Sequence, residues 1–431
     1  MSLLTYEEAL ERIRESLQPL GRVARVALQS SAGRILAEPV FAKIDHPPFD
    51  NSGVDGFALA EAPRGDKPIP VLGEIAAGGP TMWLSGGCAL RVLTGGRLPP
   101  NTFAVVMQED VQITTGRIKV SGSVSRGENV RVQGEDFRGG DLLLGAGVLL
   151  NSGGVALLAS QGLTEVPVFS PPVVGVLTTG DELVPVDAEP SGSQLRDSNQ
   201  ELLVAALSSL GVSTVVRRRV RDDLADTQEA LALLASESDL VIVSGGASVG
   251  DYDYLRSAVE KLGEIRFHGV SVRPGKPLLF GQVGGKPLFG LPGNPSSTFV
   301  CFHLFVGEAV RILTGWRDAA PLWLPALYVG GVSPSPRDHF ERVTLSVEEG
   351  GLVARELPSK NSQGLRACAL CGGLARIPGG TVSEEPLQGS AAVAFPPRAE
   401  ALGSVPVAPS GPCAGGEVRV GIPVHVLPID S

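Results

Sequence analysis

The apolar run Leu240 to Val243 leads straight into Ser244-Gly245-Gly246-Ala247-Ser248-Val249-Gly250, followed by Asp251, Tyr252 and Asp253. Glycines at the carboxyl end of a strand let backbone N–H groups approach a phosphate closely, and open sheets bind ligands along that edge. A plain strand-to-helix turn would use the same glycine pair. A second such place is KPLFG running into Leu291-Pro292-Gly293-Asn294-Pro295-Ser296-Ser297 and then an apolar helical pattern from Thr298 to Leu313. There hydroxyls, an amide and free N–H groups gather at a helix N-terminus, which attracts anions; an ordinary N-cap would need only one of these residues. Just upstream, Arg273-Pro274-Gly275-Lys276-Pro277 sets two cations on a stiff turn in a chain of net charge -10. Cations placed like this are suited to meeting an anionic ligand.

Carboxylates recur where strands end. Asp181 and Glu182 follow VLTTG, Asp222 and Asp223 follow RRRVR, and Asp251 and Asp253 follow the glycines. Hard cations such as Mg²⁺ take carboxylates together with substrate phosphates, so this convergence suits metal-assisted phosphoanhydride chemistry. Asp181 and Asp223 also read as helix N-caps. Cys368 and Cys371 have CxxC spacing on a helical patch, without a second pair or a histidine at finger spacing, which makes zinc or redox chemistry a weak reading. The five histidines are dispersed, and His303 inside FVCFHLFV reads as a core residue.

These residues need elements to hold them. Thr5 and Glu8 form a capping box before Ala9, Ile13, Leu17 and Leu20, so a helix opens the chain. From about Pro47 to Asp141 short β-prone runs alternate with Gly and Pro. A helical signal at Asn151 to Gly162 precedes an alternation of strand and helix: VVGVLTTG, SNQELLVAALSSLG, STVVRRRV, DTQEALALLASESD, LVIVSGG. That order predicts a doubly wound α/β domain. Strand-like runs follow, with a helical patch at Ser362 to Leu374 and an Ala/Pro/Gly/Ser-biased loop over 382–416.

Composition removes whole classes of function. With 431 residues the chain exceeds one core, and Gly 55 with Pro 34 argues against an all-helical bundle. A formal charge of -10 without a Lys/Arg cluster argues against nucleic-acid binding. The uncharged runs Leu142 to Thr164 and Pro287 to Gly307 are long enough to span a bilayer, but turn signals inside each argue against a membrane. Few cysteines, odd in number, and an amphipathic opening helix without a leader pattern point to the cytoplasm.

In their order along the chain, HPPFDNSGVDGFAL, AAGG, RVLTGGRLPPNTFAVVMQED, QGEDFRGGD, TTGDEL, RDSNQELL, VRDD, VIVSGGASVGDYDY, PGKPLLFG and GLPGNPSSTF resemble the molybdopterin molybdenumtransferase (molybdenum insertase, MoeA) family, to which the carboxyl-terminal part of gephyrin also belongs. The resemblance covers the chain from TYEEAL to about residue 380. It implies an elongated homodimer of four-domain subunits: 1–45 with 142–171, a β-rich insertion at 46–141, an α/β molybdopterin-binding domain at 172–318, and a small β-barrel domain at 319–431. The implied reaction inserts molybdate into the dithiolene of adenylylated molybdopterin and releases AMP, assisted by Mg²⁺.

Carried over position by position, the catalytic residues implied are Asp55, Thr94, Asp136, Glu182, Asp222 and Asp253, with Asp222 and Asp253 toward the metal. Substrate binding is implied for Ser244, Gly245, Gly246 and Asp251, for Lys276, for Pro292, Gly293, Asn294 and Pro295, and for Arg342 and Ser362. The implied site lies in a cleft between domains, with the upstream adenylyltransferase and downstream molybdoenzymes as partners. Gly269, Arg273, Ala367 and Gly372 depart from the residues usual in the family. Two other readings remain: an adenylyltransferase or a nucleotide hydrolase of the competence-damage type built on the same α/β domain, and a non-catalytic scaffold. FDNSGVDGF and LTGG argue against the former, since a single-domain enzyme has no use for them.

Overall fold

The computed structural model describes residues 3–65, 67–80, 82–246, 254–331, 335–357, 364–380 and 420–429. The chain packs as two units, one made of Met1–Ala24, Gly33–Ile35 and Val168–Ser431, the other of Arg25–Ala32 and Leu36–Pro167.

The larger unit is built on a six-stranded sheet. Strand Val174–Thr179 lies between Val215–Val220 and Leu240–Ser244, and Leu240–Ser244 pairs on its other side with Lys286–Leu291, all four parallel. Leu279–Val283 and Gly263–His268 complete the sheet in antiparallel pairing. Strand side chains alternate between faces. Val174, Val176, Leu240, Ile242, Phe289 and Leu291 therefore join one apolar core, and Leu177, Val241, Val243 and Leu288 join a second on the opposite face.

Helices cover both cores. Ser198–Ser209 puts Leu203 and Leu207 into the first. Leu224–Glu237, capped by the Asp223 carboxylate on the N–H groups of Ala225 and Asp226, puts Leu231 and Leu234 into the second.

The apolar run after PGNP forms one helix, Pro295–Thr314, long and apolar enough to cross a membrane but mostly buried inside this unit. It contains a π turn at Phe302–Val306. Against it packs the opening helix Tyr6–Ser16, whose capping box is formed as expected. Arg14 reaches the nearly fully buried Glu308 on the long helix, and the Tyr6 ring meets Phe305 edge-on at 5.5 Å and Phe340 at 5.3 Å.

Beyond the α/β part, strands Asp338–Glu348, Gly351–Glu356, Leu324–Gly330, Val420–Pro428 and Gly373–Ile377 pair in that order, and the last closes back on the first as a five-stranded barrel. Tyr328, Val343, Ala354, Ala375 and Val426 fill it. The helix expected over Ser362 to Leu374 is shorter, Leu365–Ala369, because Gly373 and Leu374 already belong to a barrel strand. Residues 382–416 lie outside the described residues.

The smaller unit carries a six-stranded sheet in the order Ala104–Met107, Gly56–Leu59, Ala89–Val92, Ile69–Ile75, Arg117–Val120, Val111–Thr114. Here glycine is a steric requirement at position 56, where a Cβ would sit 2.0 Å from the Val106 carbonyl oxygen.

Leu203 is fully buried between its helix and the sheet. Leu203→Ala should cost about 2–5 kcal/mol by lost transfer energy and the cavity left behind. Urea unfolding of the larger unit measures it, and a loss within experimental error would show that the helix does not seal this face.

Candidate active site

Ser244 ends its strand in register with Thr178 on one side and Leu291 on the other. The chain segments leaving two parallel strands, SGG and PGN, therefore emerge side by side at one sheet edge. They touch: Gly245 N–H donates to the Leu291 carbonyl at 3.3 Å, and a Cβ on Gly293 would sit 3.5 Å from the Gly245 Cα. Gly245 has φ +102°, and a Cβ there would come within 2.5 Å of the Thr179 carbonyl oxygen, so only glycine fits.

A buried polar network closes the two loops. Asn199, in the first turn of Ser198–Ser209, donates from Nδ2 to Ser244 Oγ at 2.9 Å and to the Gly293 carbonyl at 2.7 Å. Thr298 Oγ1 donates to the Pro292 carbonyl at 2.6 Å and lies 3.3 Å from Ser244 Oγ. Asn294 and Pro295 open the long helix, with the Asn294 carbonyl accepting from Ser297 and Thr298 N–H.

At the same edge stand the acidic loops. Asp181 caps no helix, contrary to the sequence expectation. The chain after Thr179 turns into the short strand Leu183–Val184, and Asp181 Oδ1 instead accepts the Asp222 N–H across the gap at 3.3 Å. That bond joins TGDEL to VRDD. Glu182 folds back over Gly180, whose missing side chain leaves room for its carboxylate. Asp181, Glu182 and Asp222 are all exposed. These oxygen donors suit a hard cation, but among the described residues no three acidic, His or Cys side chains converge closely enough to hold a metal ion. Asp251, Asp253 and Ser362 lie outside the described residues.

Arg342, on the first barrel strand and buried, donates to Ser296 Oγ and so stands at the first turn of the PGNP helix. The turn carrying exposed Lys276 reaches the same helix at Cys301, whose thiol faces the Gly275 carbonyl at 3.9 Å. Burial holds the thiols protonated, Cys301 up to about 12 and Cys371 up to about 11. Cys368 and Cys371 are both unbridged, so CxxC here is two packed thiols. Burial and, after it, nearby Arg311 push His303 down to about 4, which keeps this core histidine neutral.

In the smaller unit, the antiparallel pairing of Gly56 with Val92 sets Asp55 beside Thr94. Asp55 Oδ1 accepts from both the Thr94 N–H and the Thr94 hydroxyl, each at 2.7 Å. Those bonds, the backbone one first, lower the Asp55 pKa although the carboxylate is fully exposed. Residues 45–53 lace the neighbouring motifs together. Asp50 Oδ1 accepts from Gln133 N–H, Leu98 N–H donates to the Asp50 carbonyl, Gly95 N–H donates to Ser52, and exposed Asp136 donates its N–H to His46. LTGG and QGEDF thus share one loop cluster with FDNSGVD.

Comparison with known proteins decides what this arrangement belongs to. Residues 4–162 match the family described as MoeA N-terminal region (domain I and II), and 175–311 match the probable molybdopterin binding domain. The molybdopterin molybdenumtransferase of Haemophilus influenzae is 36% identical over 320 residues, 73% of this chain and 79% of that one. The Staphylococcus epidermidis enzyme of the same name is 32% identical over 387 residues, 88% and 92% of the two chains. The crystal structure of the molybdopterin biosynthesis MoeA protein from Pyrococcus horikoshii superposes with a TM-score of 0.77 at 25% identity, covering 99% of this chain and 100% of that one. The chain belongs to the molybdopterin molybdenumtransferase family. It is a transferase of molybdenum cofactor biosynthesis, and the match over 4–162 includes the segments that a single-domain adenylyltransferase or hydrolase would not need.

For a molybdopterin molybdenumtransferase, the structure adds residues that sequence reasoning passed over. Asn199 lies within RDSNQELL, quoted above for the family, yet nothing local marks it, since both partners are distant in sequence. Asp197 caps the same helix through Gln200 N–H at 3.0 Å and takes the Thr178 hydroxyl at 2.6 Å and Arg219 Nε at 3.1 Å. Thr179 Oγ1 and Asn199 Oδ1 are buried without a hydrogen-bond partner among the described residues. Orphaned buried polar atoms are expensive in a finished core and expected beside a ligand.

Two outcomes test this geometry. Gly245→Ala should abolish ligand binding at the sheet edge by driving the loop off Thr179; wild-type affinity in calorimetry would show that the close approach is dispensable. Thr94→Val removes one of two hydrogen bonds to ionised Asp55, so the Asp55 titration followed by carboxyl ¹³C NMR should move upward in pH. In the wild type the lowered pKa means that the stabilisation is present above the unfolded-state value and fades as pH falls through the folded one. A midpoint that does not move would discount the Thr94 hydroxyl.

Proposed function

We propose that this chain takes adenylylated molybdopterin and molybdate as substrates, places the molybdenum in the dithiolene and releases AMP. The observation that carries the reading is the pair of glycine-walled loops, SGG and PGN, sealed together at the carboxyl edge of a parallel sheet beside the N-terminus of a 20-residue helix. Backbone N–H groups and the positive helix end favour a diphosphate there. Arg342, reaching the first turn of that helix from the barrel, and Lys276, on the turn beside the helix, supply cationic charge suited to molybdate and to the anion left on cleavage.

Water breaks the phosphoanhydride, giving AMP and the phosphate monoester of the pterin. Asp222 and Asp253 would hold Mg²⁺, with Glu182 alongside; the ion would supply charge neutralisation on the phosphoanhydride oxygens. Asp55 and Thr94 act as a fixed pair, the carboxylate kept ionised to accept a proton or a hydrogen bond from substrate, with Asp136 in the same loop cluster. The reading carries with it a four-domain homodimer acting in the cytoplasm, supplied by an adenylyltransferase and serving molybdoenzymes.

Incubation with adenylylated molybdopterin, molybdate and Mg²⁺ should release AMP and yield cofactor that reconstitutes an apo-molybdoenzyme. ATP consumption in place of AMP release would indicate an adenylyltransferase. Asp222→Asn, Asp253→Asn and Glu182→Gln should each lower turnover by about 10²-fold or more; for Asp222 and Glu182, which are exposed and contribute little to packing, the thermal midpoint should stay within a few degrees. Wild-type turnover in any of them removes that residue from the reaction.

A further inference from the structure

We propose that Asn199 is the positioning residue that sets the separation of the SGG and PGN loops, and through it the affinity for substrate. The proposal rests on the substrate reading above. Asn199 is over nine-tenths buried, and both hydrogens of its carboxamide are committed, one to Ser244 Oγ at 2.9 Å and one to the Gly293 carbonyl at 2.7 Å. The Gly293 carbonyl can only accept, which fixes the amide orientation with Nδ2 toward it. A single planar group thus spans from the end of one parallel strand to the loop leaving the next. The span is short because neither Gly245 nor Gly293 has a side chain to hold the loops apart.

The anchor behind Asn199 is rigid. Its helix begins at Asp197, which is 1% exposed and whose carboxylate binds Gln200 N–H, the Thr178 hydroxyl and Arg219 Nε. Thr178 and Arg219 lie on adjacent strands in direct register. The position of Nδ2 is therefore set by the sheet, and the PGN loop is set by Nδ2. Thr298 holds the same loop from the other side through the Pro292 carbonyl. That bond keeps the helix start in place when the Asn199 tie is cut, so removal of the tie loosens a loop without dismantling the sheet. A ligand gripped equally in the ground state and the transition state loses affinity and keeps its chemical rate when such a grip loosens.

The test uses the full-length protein and two variants. Asn199→Ala removes both ties. Asn199→Asp keeps the shape and can still accept the Ser244 hydroxyl proton, but sets a carboxylate oxygen against the Gly293 carbonyl. Both should raise KM for adenylylated molybdopterin about tenfold, the size of one net hydrogen bond, with kcat within about twofold of wild type. In hydrogen exchange without ligand, the amides of 244–246 and of Leu291, Gly293 and Asn294 should exchange faster in both variants while the strand Val174–Thr179 stays protected. Should Asn199→Ala fail to fold, the isosteric Asn199→Asp carries both readouts. Unchanged exchange at the two loops, or loosened loops with unchanged KM, overturns the proposal. If wild-type protein does not turn over adenylylated molybdopterin, the substrate reading fails by itself and the exchange result still judges the tie.

Discussion

The site hangs on one register. Ser244 sits opposite Thr178 and Leu291 in a sheet whose central strands are parallel, so three strands end together and their continuations must share one edge. Backbone groups at such an edge have no further strand to pair with, and the chain satisfies them with Asn199, Thr298 and the Gly245 to Leu291 bond. A slip of one residue would send Ser244 to the opposite face and Val243 into the polar network. Both faces of these strands are apolar, so the cost of the slip falls at the strand end, where the buried carboxamide of Asn199 would lose the Ser244 hydroxyl and meet an apolar side chain in its place.

The 20-residue helix that follows PGNP is the second organising element. Its N-terminus belongs to the loop pair, Ser296 receives Arg342 from the barrel, Cys301 backs the turn of Lys276, and Glu308 takes Arg14 from the opening helix. The opening helix in turn meets the barrel, where Arg376 pairs with Glu7 and Asp338 and lies 5.1 Å from the Tyr6 ring. A buried glutamate is tolerable here because its charge is met by a guanidinium, and breaking such a pair costs more than the pair itself contributes. Position along one stiff rod relates elements that are hundreds of residues apart in sequence.

Much of this was legible before any coordinates. The capping box at Thr5 and Glu8, the Asp223 cap and the sheet-covering stripe through Leu203 and Leu207 follow from local spacing, and local spacing is what determines them. The glycines of SGG and PGN were legible as close-approach points for the same reason. Asp181 was misread because a carboxylate after a strand has two short-range uses, and only the neighbouring strand end shows that it accepts from Asp222. The patch from Ser362 to Leu374 reads as helical by periodicity, yet the demand of a closing barrel strand overrides it at Gly373.

Sequence by itself determined the residue types, the order of elements and the family, since motif spacing and hydrophobic period are properties of the chain. Tertiary structure alone decided which distant groups meet: Asn199 with Gly293, Asp181 with Asp222, Ser296 with Arg342. Those pairings depend on strand register and on the path of one helix, and a hydrogen bond formed over a separation of 94 residues leaves no local trace in sequence.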